Sequence, residues 1–204
     1  MLKKFAADAL GLSDIGKVID PQDYDKTESD DYVLHEKGEK IYFLIKTKAD
    51  EYCFTNLALI HVDGDSAVSK KRTLKRYDYK YNNIRHVSLE TAGTIDLDVE
   101  IKFTIGETAL SIDINKNFAE KIRDLYKSLI TIERMMRENE KNRNFTFDSL
   151  DYATRSLSTS GHGQTSPADS FKSIAEFTNQ WLKENSKTYT TEDFGDVFDL
   201  FIKN

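Results

Sequence analysis

The chain has 204 residues, 31% of them charged and 39% hydrophobic, and a formal net charge of -6. That size supports one substantial core plus a small second unit, and the acidic balance argues against general nucleic-acid binding while leaving room for a local basic patch. No apolar run approaches the ~20 residues of a membrane-spanning helix, the single cysteine, Cys53, excludes an internal disulfide framework, and the start lacks a long apolar signal region, so the expected location is the cytoplasm.

Residues 2–10 fit a short amphipathic helix with Leu2, Phe5, Ala6 and Leu10 on one side and Gly11 as its stop. It reads as an element packed on its own domain; Lys3 and Lys4 also make it a candidate surface anchor. From Asp20 to Glu39 eight acids face two lysines, the composition of a solvated loop. Strands are expected over 32–35, 41–48 and 51–62, with Gly38 in the first turn and Asp63-Gly64 closing a hairpin. Further strands are expected over 66–80 and 84–90, then from Thr94 to Ile105, and over 109–114. In the longest of these, Ile95, Leu97, Val99, Ile101, Phe103 and Ile105 alternate with polar residues, so one face is buried and the other wet. No helical pattern separates these strands, so the sheet is antiparallel and should curl into a barrel or sandwich.

At Asn117 the period changes. Phe118, Ile122, Leu125, Leu129, Ile132 and Met136 share one stripe of a helix of roughly 20 residues, with Asn117 and Glu120 as its expected cap. A short helix within 142–157 and a Ser/Gly linker over 156–165 follow. Ser166, Pro167 and Asp169 then open a helix carrying Phe171, Ile174, Phe177 and Trp181, and Thr190 with Asp193 opens another carrying Phe194, Val197, Phe198 and Phe201. Two short helices cannot bury so many aromatics alone; they must dock on the first domain or on other copies, which makes these eight residues the candidate oligomerisation set.

The ordered stretches F-T-N-L-A-L-I-H-V-D-G (54–64), S-K-K-R-T-L-K-R-Y-D-Y-K-Y-N-N-I (69–84) and H-V-S-L-E-T-A-G-T-I-D-L-D-V-E-I-K-F (86–103), followed by the closing helix, resemble the bacterial pleckstrin-homology-like family over about residues 25–137. The resemblance implies an α+β fold: a seven-stranded antiparallel barrel capped by a C-terminal helix, with a tail similar to the helical-hairpin extension of some members. It divides the chain into a barrel domain, 1–142, and an oligomerisation extension, 143–204. It also implies ring-like homo-oligomers and an unidentified protein partner. Phosphoinositide-binding members of the wider fold cluster cations in the first hairpin loop; here 36–40, Glu-Lys-Gly-Glu-Lys, is charge-balanced, so that route to inositol phosphates is not expected.

Two charged stretches are candidate interaction surfaces. Lys70, Lys71, Arg72, Lys75, Arg76, Lys80 and Arg85, interleaved with Tyr77, Tyr79 and Tyr81, suit an anionic partner or the acids of a neighbouring copy. Asp96, Asp98 and Glu100 line one strand face; three acids on a flat strand do not wrap an ion, so they read as a solvated face or one meeting the next subunit's basic strand. No catalytic, cofactor or metal site is expected: His35, His61, His86 and His162 stand far apart, Cys53 sits in an apolar strand, Gly161-His162-Gly163 is too short for a phosphate cradle, and no nucleophile elbow or metal-ligand pair occurs. The reading is a non-enzymatic scaffold assembling into a closed homo-oligomer. The alternative is a peripheral module that binds anionic membrane through the basic strand.

Overall fold

The computed structural model describes residues 15–64, 71–91, 98–159, 166–185 and 191–202. Among them eight strands form two antiparallel sheets: β1 (Lys17–Val18), β2 (Ile41–Lys46), β3 (Glu51–Thr55), β4 (Ala58–Gly64) and β5 (Arg72–Asp78) in one, β6 (Ile84–Glu90), β7 (Asp98–Ile105) and β8 (Thr108–Asn115) in the other. The two-residue β1 precedes seven longer strands; that number agrees with expectation only because the strand expected over 32–35 is absent and the run 51–62 supplies two. In β7, Val99, Ile101, Phe103 and Ile105 are buried and the residues between them partly exposed, as the alternation requires; residues 94–97 of that expected strand lie outside the described residues. Gly106, at φ +58°, makes the turn into β8.

The central strands of the larger sheet are buried on both faces. Phe43, Phe54 and Leu59 line up across β2, β3 and β4, and Phe54 meets Phe103 of the other sheet at 6.0 Å between ring centroids. Leu44, Cys53 and Ile60 line up beside them on the opposite face, where Val33, Ile19 and Tyr24 cover them. The cover is the acid-rich segment. Rather than a loop and a strand over 32–35, it forms 3-10 turns at Pro21–Lys26, Glu28–Tyr32 and His35–Lys37, and its polar groups bind the sheet, Ser29 N donating to Glu51 Oε2 at 2.8 Å. At one corner the sheets meet: Gly16 N donates to Asp113 O at 2.7 Å and Asn115 N to Gly16 O at 3.0 Å. A Cβ at Gly16 would lie 2.8 Å from the Ile45 side chain, so the approach needs glycine.

Other boundaries differ from expectation. The run 51–62 is two strands, turned at Asn56 and Leu57, where the Thr55 hydroxyl accepts the Leu57 and Ala58 N–H groups. The first hairpin loop is therefore Thr47–Asp50, not 36–40; its neighbourhood, with Lys46, Lys48, Asp50 and Glu51, is also charge-balanced. The basic strand is shorter than 66–80, and Tyr77, Tyr79 and Tyr81 do not share a face: the strand ends at Asp78, Tyr79 is buried in the following turn and Tyr81 is exposed.

Helix α1 (Ala119–Thr159) is 41 residues long, twice the expected length. A 3-10 turn at Lys116–Phe118 precedes it, capped by Asn115 rather than Asn117: the Asn115 side chain accepts the Asn117 N–H at 3.0 Å, and Phe118, expected on the helix stripe, lies in that turn and is partly buried. Ile122, Leu125, Leu129, Ile132 and Met136 are buried as predicted. No Gly or Pro interrupts 119–159, and the expected break near residue 142 does not occur. Helix α2 (Pro167–Asn185) carries the predicted cap, Ser166 Oγ accepting Asp169 N at 3.2 Å. Helix α3 (Gly195–Phe201) is preceded by Asp193, which accepts the Gly195 N–H at 2.8 Å; Thr190, its predicted cap, lies outside the described residues, as does the predicted helix 2–10.

The chain forms two compact units, residues 1–133 with 192–204, and residues 134–191. The last helix thus groups with the barrel, whereas the sequence reading assigns everything after residue 142 to the extension. Phe194 N donates to Asn56 O at 2.9 Å, Asn56 Nδ2 donates to Asp193 Oδ2 at 2.7 Å, Phe198 stacks on Tyr42 at 5.3 Å and Phe194 meets Tyr79 edge-on at 5.7 Å. A Cβ at Gly195 would come within 2.8 Å of the Tyr42 hydroxyl. Glycine lets α3 seat this closely.

Candidate interaction surfaces

The basic strand is matched by acids of its own unit. Arg76 lays its guanidinium on Glu39 through two hydrogen bonds, Nη1 to Oε2 at 3.1 Å and Nη2 to Oε1 at 3.0 Å, while its Nε donates to Asp78 at 2.8 Å. Lys75 lies 2.5 Å from Asp63, Arg72 lies 3.6 Å from Glu28, and Lys80 lies 2.9 Å from Glu192. Lys71 and Arg85 are exposed; Lys70 lies outside the described residues. On the acidic stripe, Glu100 binds Lys102 at 3.0 Å and the Ser111 hydroxyl, and Lys102 also reaches Glu90 at 2.6 Å. Asp98 is partly exposed and Asp96 lies outside the described residues.

Glu39 is the most enclosed of these charges. Burial pushes its carboxyl up, but the Arg76 fork, the Thr55 hydroxyl at 2.5 Å and the Leu34 N–H at 2.8 Å outweigh burial and hold it below the usual carboxylate range. Glu51 repeats the balance: burial raises it, while Lys46 at 2.5 Å and the Ser29 N–H lower it further than burial lifts it. The sequence puts Glu39 in a solvated loop and gives Glu51 no part beyond the start of a strand; both are buried. They are fixed acceptors that fasten the 3-10 cover and β5 to the sheet.

The candidate oligomerisation residues divide. Phe194, Val197 and Phe198 are buried on their own barrel and Phe201 is half-buried, so docking in cis accounts for the last helix. In α2, Phe171 and Phe177 are 73% and 69% exposed, with Ile174 and Trp181 partly buried. The second half of α1 adds Phe145, Phe147 and Tyr152, also exposed. These three were not expected at an interface: the apolar stripe of α1 ends at Met136, and the Phe145-Phe147 spacing is not helical.

A pocket of about 140 Å³ near Ile19, Tyr24 and Ile202 is smaller than the ~300–1,000 Å³ of most small-molecule sites. Cys53 is fully buried, and burial pushes its thiol up, away from nucleophilic use. Asp50, His61 and Asp63 are brought together although they are spread over the β2–β3 turn and β4; one ligand atom from each lies within 4.8 Å of the others. The only sequence sign of this is His61-Val62-Asp63, two polar residues at the same-face spacing of a strand. No helix among the described residues is long and apolar enough to cross a membrane.

The Bacterial PH domain family matches residues 9–133, and the YvbH-like oligomerisation region matches residues 144–204. Among curated proteins, the uncharacterized protein YvbH of Bacillus subtilis (strain 168) is 56% identical over 204 residues, the whole of both chains. The uncharacterized protein YjqA of the same organism is 36% identical over 98 residues, 47% of this chain and 76% of its own. Among solved structures, a PH-domain-containing bacterial protein from Exiguobacterium sibiricum 255-15 superposes with a TM-score of 0.83 at 47% identity, covering 93% of this chain and 100% of that one.

Proposed function

We propose that this chain, which belongs to the Bacterial PH domain family, is a non-enzymatic cytoplasmic scaffold that self-associates through residues 134–191 into a ring-like homo-oligomer and presents its hydrophilic barrel surface to a protein partner. The exposure of Phe145, Phe147, Phe171 and Phe177 within a single helical unit carries the reading. Large apolar rings left exposed on one compact unit offer surface for an interaction, and the match to an oligomerisation region over 144–204 supports a second copy as the occupant. A ring is the closed form of such an assembly: one patch meeting a different patch of the next copy closes into a ring or runs on as a filament, and a discrete native mass separates the two. Repetition would then turn weak contacts with a partner into avid ones.

The charge stripes serve this reading less well than the aromatics, because Arg72, Lys75, Arg76, Lys80 and Glu100 already have partners in cis. Light scattering after gel filtration tests the assignment. The full chain should elute as one discrete multimer, and Phe171→Ser with Phe177→Ser should lower its mass while leaving the circular dichroism of the barrel unchanged. A monomeric full chain would remove the scaffold reading.

A further inference from the structure

Asp50, His61 and Asp63 do more than sit close together. His61 and Asp63 project from the same face of β4, His61 stands opposite Tyr52 in register and stacks on its ring at 4.4 Å, and Asp50 reaches over from the preceding turn. The His61 side chain is only 7% exposed. Its Nε2 lies 3.3 Å from Asp50 Oδ1, long for a hydrogen bond, and its Nδ1 is buried with no hydrogen-bond partner. The ring is therefore held by stacking on Tyr52 and by one long contact through Nε2, the nitrogen that faces Asp50.

We propose that Asp50, His61 and Asp63 form a binding site for a first-row divalent cation of the zinc type, with solvent completing its coordination. One nitrogen and two carboxylates suit such an ion, whose ligands stand ~2.0–2.2 Å away. Two ligands at that distance in a tetrahedron are about 3.3 Å apart, the separation that His61 Nε2 and Asp50 Oδ1 already have. Asp63 completes the set by a side-chain rotation, and each carboxylate has two oxygens to offer. Lys75, 2.5 Å from Asp63, is the cation that a metal has to displace or share with. The ion would pin the β2–β3 turn to the end of β4.

Titration calorimetry with zinc chloride on the chelator-stripped full chain tests the site. We expect one zinc per chain, about tenfold or greater weakening by His61→Asn and by Asp63→Asn, and tighter binding by Lys75→Met, which releases Asp63. Asp63 is at the partly exposed rim, so its Asn variant remains informative if the buried His61→Asn variant does not fold. Zinc should also raise the unfolding temperature of the wild type and not that of Asp63→Asn. No stoichiometric uptake, or uptake unchanged by Asp63→Asn because other histidines hold the ion, would overturn the proposal.

Discussion

Phe43, Phe54, Phe103, Phe194 and Phe198 of the barrel unit are at most 3% exposed, whereas Phe145, Phe147, Phe171 and Phe177, all within residues 134–191, are at least 56% exposed. One unit completes its core with its own chain, recruiting residues from the far C-terminus to do so. The other leaves its rings uncovered. The same residue type thus plays opposite parts: removal from the first unit should cost stability, and removal from the second should cost assembly.

The largest effect should come from Phe198→Ala. The ring is fully buried on Tyr42, and deleting a buried aromatic costs about 3–5 kcal/mol, read as a lower urea midpoint for the barrel. If the midpoint holds, α3 is not part of that core. Next is Glu39→Gln, which leaves Arg76 half-matched; breaking an enclosed pair costs on the order of 3 kcal/mol, less here because Arg76 is partly exposed. The same group sets an acid dependence. Since the folded-state pKa values of Glu39 and Glu51 are depressed, their contribution is present above the unfolded carboxylate value of ~4.3 and is lost as pH falls through the lower folded values. Urea midpoints between about pH 5 and pH 2 should fall less steeply in Glu39→Gln than in the wild type; parallel profiles would show that Glu39 titrates normally.

Phe171→Ser with Phe177→Ser should change barrel stability by less than about 0.5 kcal/mol, as surface substitutions do, while shifting the native mass. A large loss of stability would mean that the two units share a core and would dissolve the contrast. Smallest of all, Lys80→Ala removes an exposed partner of Glu192, and thermal unfolding should not distinguish it from the wild type.

Strict periodicity was readable from sequence: the alternation of β7 and the stripe from Ile122 to Met136 each bury the side predicted. What escaped was whatever depended on a distant acceptor. The segment 20–39 has the composition of a solvated loop, yet Glu39 and Ser29 face inward because Arg76, Thr55 and Glu51 await them. Thr55-Asn56 is a weak turn signal inside an apolar run without glycine, and the strand composition on both sides outweighed it. Helix α1 continues past its buried stripe because nothing in 137–159 stops it, and a missing stop signal is hard to read beforehand. The spacing of Phe194 and Phe198 predicted a helix with one apolar face; which surface would receive that face depended on Tyr42, Asn56 and Tyr79, far away in sequence.

The seating of Phe194 and Phe198 on the barrel also bears on how the chain matures during synthesis. Among the described residues, all strands and the buried stripe of α1 have been made by residue 136, yet two fully enclosed rings are still missing. About 60 more residues must be added, on the order of 3–12 s at ~5–20 residues per second. Through that interval the ring faces of Tyr42 and Tyr79 that receive Phe198 and Phe194 stay uncovered.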